Sequence, residues 1–328
     1  MLTKKQTIYI LSALFLFFQC ASIEDYKWNT VISESSPSAR HECGFVEANG
    51  LFYLLGGRGI KPVDIYNVKT KKWTKGSEPP IEIHHFQAVS YNDDLYLIGA
   101  MTGKYPHEKP LDKILIYKPK EDKWVWGDAI PVARRRGSAG IVVTANFAYV
   151  ISGITDGHWE GHVPWLDRYN FKTGEWTILS DAPRSRDHFH AAIHNNKIYC
   201  ASGRNSSAKT YETFNLTIPE VDVYNIENNS WETLPETSNI PTQRAGASAI
   251  INKGKLIIIG GESASQKTAH NEIDIMDMAK GNWVSAEKLE IGRHGTQAIF
   301  YNNAIYIVAG SGNRGGKPEL ASLETFTK

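Results

Sequence analysis

One arrangement of residues is spelled six times in this chain, and that repetition constrains the fold more than any other feature. Its clearest copy runs from Gly254 to Trp283. An apolar strand, Lys255 to Ile259, ends in Gly260-Gly261. A polar loop follows, then a second strand from Glu272 to Met276, a Lys280-Gly281-Asn282 turn and Trp283. The glycines let the backbone leave a sheet sharply, and apolar runs of this length suit strands buried between neighbours.

The siblings fall in phase. Trp73, Trp124, Trp176, Trp231 and Trp283 recur about every 50 residues, each behind a turn rich in Lys, Asn, Gly or Asp. Before them lie strands with tyrosine at a fixed place, as in Val63-Asp-Ile-Tyr66, Leu115-Ile-Tyr117, Leu166-Asp-Arg-Tyr169 and Val221-Asp-Val-Tyr224, with Met276 in that slot in the fifth copy. Further upstream, apolar strands end in two small residues at Gly56-Gly57, Gly99-Ala100, Ser152-Gly153, Ser202-Gly203, Gly260-Gly261 and Ala309-Gly310. Four short strands per copy, six times, predict an all-β, six-bladed propeller. The sixth copy stops one strand short, while Trp28 has no copy of its own. The Trp28 strand is therefore expected to pair with Leu323 to Phe326 and close the last blade, which removes the open sheet edges.

At these glycines, tyrosines and tryptophans the chain resembles the kelch-repeat family, over residues 28 to 326. The resemblance implies a kelch-type propeller as a single domain, 23–328. Residues 1–22 read as a secretion signal: Lys4 and Lys5 precede an apolar run, Ile8 to Phe18, too short to span a bilayer. Cys20 is the candidate acylated residue of a lipoprotein signal, with cleavage after Ser22 as the rival. Secreted or periplasmic location is the expectation, with a possible lipid anchor through Cys20. Cys43 and Cys200 belong to repeats half a ring apart and are expected as unbridged core residues. A formal net charge of +1 gives no global field for nucleic acid.

Chemistry is expected where the copies differ. Loops between second and third strands share one face with the loops leading into each first strand, and the former are long. Four lead-in loops share Pro-x-x-Arg, ending at Arg40, Arg134, Arg186 and Arg244; Arg135, Arg136, His188, His190 and His294 are extra. Guanidinium groups take carboxylate or sulfate bidentately, and flat aromatic faces suit sugar rings. The expected partner is therefore a carbohydrate or other anionic small ligand. Its expected binding set is Arg135, Trp159, Trp165, Arg186, His188, Arg204, Tyr211, Arg244, His270, Arg293, His294 and Arg314.

Three enzyme readings stand beside simple binding and protein scaffolding. Kelch copper radical oxidases need a cysteine–tyrosine crosslink, for which this chain has no clear candidate. Similarity to the bacterial sialic-acid mutarotases implies an acid/base carboxylate at Glu262, with Lys267 as imperfect stand-in for an expected arginine. Metal-dependent hydrolysis or lysis would draw on His158, His162, His188 or His190, with His188 and His190 on one face of a strand. With no third ligand fixed by sequence, neither a metal ion nor another cofactor is expected.

Overall fold

A computed structural model describes residues 26–328. The expected secretion signal and Cys20 lie outside the described residues. The fold is a six-bladed β-propeller of antiparallel four-stranded sheets. The fifth blade consists of Ser248–Asn252, Lys255–Ile259, Ile273–Asp277 and Asn282–Ser285, from axis to rim. The innermost strands of successive blades, Cys43–Ala48, Val89–Tyr91, Gly140–Thr144, Ala191–His194, Ser248–Asn252 and Ala298–Tyr301, contact one another in a closed circle.

Closure of the sixth blade is as the sequence implies. Lys27–Thr30 pairs antiparallel with Leu323–Thr327, with Trp28 opposite Phe326. The pairing joins the two ends of the described chain and leaves every inner strand with a neighbour on each side.

The repeated aromatics supply the packing. In blades one to four, tyrosine and tryptophan face each other across the two outer strands, with ring centroids 4.9–5.1 Å apart from Tyr66–Trp73 to Tyr224–Trp231. Met276 and Phe326 take the tyrosine place in blades five and six. The indoles of Trp124, Trp176, Trp231 and Trp283 also donate to carbonyls of the segment leaving the preceding blade, Ser77, Ala129, Ser180 and Ser238. Each of these four tryptophans therefore fills its own blade and ties it to the one before.

A second repeated layer lies nearer the axis. Arg40, Arg136, Arg186, Arg244 and Arg293 are fully buried, and each donates to the carbonyl sixteen residues ahead. Each is also paired with a carboxylate on the third strand: Asp64, Asp167, Asp222, Asp274 or Glu324. Blade two replaces that ion pair by Ile83 and Leu115, both buried in one apolar cluster. The double glycine belongs to this layer. Gly260 sits at φ +65°, and a Cβ there would lie 2.3 Å from the Arg293 carbonyl oxygen of the next blade, so a side chain has no room.

Cys43 and Cys200 are buried free thiols, as expected of small core residues. Burial pushes them up, to about 11 for Cys43 and about 12 for Cys200. No helix among the described residues is long and apolar enough to cross a membrane.

Candidate functional site

Two residues beyond the arginine layer, the six lead-in loops meet on the axis. The residues there are Glu42, His85, Ser138, His188, Gly246 and Gly295, all left-handed, with φ from +51° to +63°. Their peptides form a hydrogen-bonded circle. Gly295 N donates to Gly246 O, Gly246 N to His188 O, His188 N to Ser138 O, Ser138 N to His85 O and His85 N to Glu42 O; Cys43 N donates to Gly295 O and closes it. The circle asks for a left-handed peptide and for nothing from the side chain. Blades five and six meet it with glycine, while four blades carry a side chain there at a conformational cost of about 1–2 kcal/mol each. Strain kept in this way clusters at functional sites.

Above the circle opens a cavity of about 380 Å³. His41, Glu42, His85 and His294 enter it from the lead-in loops; Arg58, Tyr105, His158, Arg204, Phe214, Glu262 and Lys317 enter from loops between second and third strands. The sequence expectation that these two sets of loops share a face is met. Within the cavity wall, Arg204 Nη1 lies 2.7 Å from Glu262 Oε1. Glu262 Oε2 accepts from Gly315 N at 2.7 Å and lies 3.3 Å from His294 Nε2. Burial alone would raise the Glu262 carboxyl, but His294, Arg204 and the Gly315 amide hold it at about 2. On the other side Arg58 binds Glu108, which also accepts from His158. Burial again opposes ionisation, and the bonds from His158 and Arg58 keep Glu108 well below the usual carboxylate range.

At the floor, His85, His158 and His188 come together. Their ring centroids are 4.6–5.0 Å apart, and one ring nitrogen from each lies within 4.8 Å of the others. The hydrogen bonds behind them fix the tautomers. His158 Nδ1 donates to Glu108, and His188 Nδ1 to Asp187. His84 Nε2 lies 3.0 Å from the Gly103 carbonyl, which only accepts, so Nε2 carries the proton and His84 Nδ1 a lone pair. His85 Nδ1, 2.6 Å from that lone pair, is therefore the donor. In each of the three rings Nδ1 is thus engaged, and Nε2 is the nitrogen left to ligate. Burial lowers His85 well below its ordinary value, with His84, His188 and His158 adding to it, so His85 is neutral. Burial also lowers His158, against the pull of Glu108. His85 Nε2 and His188 Nε2 are buried with no hydrogen-bond partner. These imidazoles are the residues able to hold a metal ion; His158 and His188 were among the candidate histidines, and His85 is the third that the sequence did not fix.

Of the residues expected from sequence, Arg204, His158, His188, Glu262 and His294 are at the cavity or on its floor. Others are not. Arg186, Arg244 and Arg293 are consumed by the buried ion pairs of the repeated layer and do not reach the cavity. Arg135 turns back onto the Ile130 carbonyl. In blade three Arg136, not the Arg134 of the Pro-x-x-Arg spacing, takes the scaffold place, because the short 3-10 turn Val132–Arg134 inserts residues ahead of it. Trp165 lies under Arg134, 4.4 Å from guanidinium carbon to ring centroid, and Trp159 packs on His107. Tyr211 is 94% exposed. His270 is occupied by Ser263 and Glu272. Lys267 is exposed, and Arg314 reaches the Ala264 carbonyl. The aromatic walls are instead Tyr105 and Phe214, and the cations Arg58, Arg204 and Lys317. His188 is not on a strand, as its φ of +51° shows, and His190 instead meets Ser248. The members outside that expected set, Glu42, His85, Glu108, Asp187 and Arg58, had one legible signal. Glu42, His85 and His188 stand two residues after the scaffold position of their blades.

The sequence profile of the Attractin/LZTR1 beta-propeller family matches residues 15–266. The chain belongs to that family of kelch-repeat propellers. Among curated relatives, it is 28% identical over 273 residues to the Kelch-like protein terF of Aspergillus terreus, covering 80% of this chain and 57% of that protein. It is 26% identical over 207 residues to Kelch-like protein 40 of Xenopus laevis, covering 60% of this chain and 32% of that one. The chain thus spans between about a third and just over half of these relatives' lengths. The solved structure of YjhT superimposes with a TM-score of 0.74 at 17% identity, covering 91% of this chain and all of that one. At that identity the likeness shows the fold alone.

Proposed function

We propose that this propeller binds a small anionic carbohydrate, a sugar acid, in the axial cavity, in an extracytoplasmic compartment. The observation that carries the ligand class is the cavity itself. At about 380 Å³ it has the size of a small-molecule site, and Arg58, Arg204 and Lys317 converge there with Tyr105 and Phe214. Arg58 is already bonded to Glu108 and Arg204 to Glu262. Only their remaining N–H donors, with the Lys317 ammonium, are offered to a carboxylate, and the aromatic faces supply apolar area for a ring. A protein-docking scaffold needs no such cavity. The compartment rests on the pattern of residues 1–22, and fractionation of expressing cells tests it: recovery of the chain with cytoplasmic markers overturns that part.

A mutarotase is the second reading, favoured by Glu262 lying in the cavity wall against Arg204. A carboxyl held at about 2 stays ionised at neutral pH, where it has no proton to donate and is only a weak proton acceptor. Glu262 thereby fits the orientation of Arg204 better than proton exchange on a sugar.

Calorimetric titration with sialic, galacturonic and glucuronic acids, against neutral galactose, tests the binding reading. Arg58→Gln should weaken acid binding about tenfold or more, the loss expected for a charge-assisted hydrogen bond. Binding of galactose as tightly as the acids, or of none of them, overturns it. Saturation-transfer NMR of the anomers with wild type and Glu262→Gln tests the mutarotase, which fails if both match buffer.

A further inference from the structure

Three imidazoles whose Nδ1 atoms are engaged from behind meet at the cavity floor. We propose that His85, His158 and His188 bind one divalent first-row transition-metal ion, of the zinc class, through their Nε2 atoms. One ring nitrogen from each lies within 4.8 Å of the others, and Nδ1 of each ring is already engaged by a partner behind it. An ion bonded at about 2.0–2.1 Å holds tetrahedral ligand nitrogens about 3.4 Å apart, so the rings need draw in by only about an ångström, which side-chain rotation supplies.

Each ring is held from behind. Glu108 and Asp187 accept from the Nδ1 of His158 and His188, and His84, anchored on the Gly103 carbonyl, accepts from His85. A carboxylate or carbonyl-anchored partner behind each ligating histidine fixes its tautomer and raises its basicity, and this is the usual build of metal sites. Glu42 Oε2, 3.4 Å from His85 Nε2, stands ready as a fourth, anionic donor. Three imidazoles with one carboxylate select a transition ion over calcium or magnesium.

Packing alone does not account for the cluster. His85 and His188 are 3% and 5% exposed, with Nε2 unpaired, and both occupy left-handed positions that glycine fills in blades five and six. A chain that needed only the backbone circle has a cheaper residue available. An unpartnered buried nitrogen is costly unless something accepts its lone pair. A cation does.

The ion would deepen the proposed function by taking the ligand's carboxylate at the fourth position in exchange for Glu42; that clause rests on the sugar-acid reading, while metal binding itself does not. The test uses the full chain after chelator treatment. Calorimetry with Zn²⁺ should give one ion per chain. Co²⁺ should give visible ligand-field absorption that Zn²⁺ bleaches. His158→Gln and His188→Gln should each weaken Zn²⁺ binding at least tenfold, while His107→Gln, at an exposed histidine outside the cluster, should leave it unchanged. Melting curves of the metal-free variants separate loss of the site from loss of the fold, and His85→Gln replaces any variant that fails to fold. No stoichiometric binding, or binding that survives in every folded cluster variant, overturns the proposal. Acid binding persisting in chelator would leave the ligand reading standing without the metal; metal binding without acid binding would leave the reverse.

Discussion

The arginine layer and the axial circle are two residues apart in every lead-in loop, yet they obey opposite rules. At the first position five of six blades bury the same side chain against the same kind of carboxylate and the carbonyl sixteen residues on. At the second, the backbone repeats in all six blades while the side chains are glutamate, histidine, serine, histidine and two glycines. The arginine side chain is itself the link between strands, so the fold constrains it. At the circle the peptide is the link, so the side chain is released for another purpose. Blade two shows how narrow the first constraint is. Ile83 and Leu115 replace guanidinium and carboxylate together, and the blade still closes.

The largest expected effect breaks the first layer. Arg244→Ala strands Asp274 in the interior and should cost about 3–5 kcal/mol in urea unfolding. Copying blade two, Arg244→Ile with Asp274→Leu, should recover most of that, since apolar replacement of a whole buried pair is often neutral. If the double variant is as unstable as the single one, the arginine layer does more than link strands. Next comes the closing strand. Trp28→Ala removes a 4% exposed side chain packed on Phe326 and should cost about 3–5 kcal/mol, read as a lower urea midpoint. A smaller loss would mean that the sixth blade holds without its tryptophan. At the circle, His188→Gly should move the metal-free stability by only about 1 kcal/mol, because left-handed strain is relieved as packing is lost. A loss as large as that of Arg244→Ala would put His188 in the scaffold. The smallest effect concerns the thiols. Burial raises them, to about 11 and about 12, so a thiol reagent at pH 8 should leave Cys43 and Cys200 unmodified until denaturant is added. Rapid native labelling would show that the blades open locally.

What could be read from sequence follows the same division. The strand Lys255–Ile259 is found where the apolar run places it, the next strand is Ile273–Asp277, one residue from the reading, and Trp28 does close the last blade. These are properties of repeats, and six copies average out local ambiguity. The site is a property of differences. His85, His158 and His188 come from three separate blades and meet only because the circle closes. Composition alone marked Trp159, Trp165 and Tyr211 as sugar platforms, yet their loops aim them at His107, at Arg134 and at solvent. The arginines were legible as a repeat, and that was the better guide to their role. A residue that recurs at one place in a propeller is most simply doing there what it does in every blade.

One paired titration tests this division most directly. Sialic acid is titrated calorimetrically into wild type, Arg58→Gln and the Arg244→Ile/Asp274→Leu protein, all folded and at equal concentration. Affinity should fall about tenfold or more in Arg58→Gln and match wild type in the double variant. Affinity lost in the folded double variant and kept in Arg58→Gln would contradict the account, because it would place ligand recognition in the repeated layer and not at the axis.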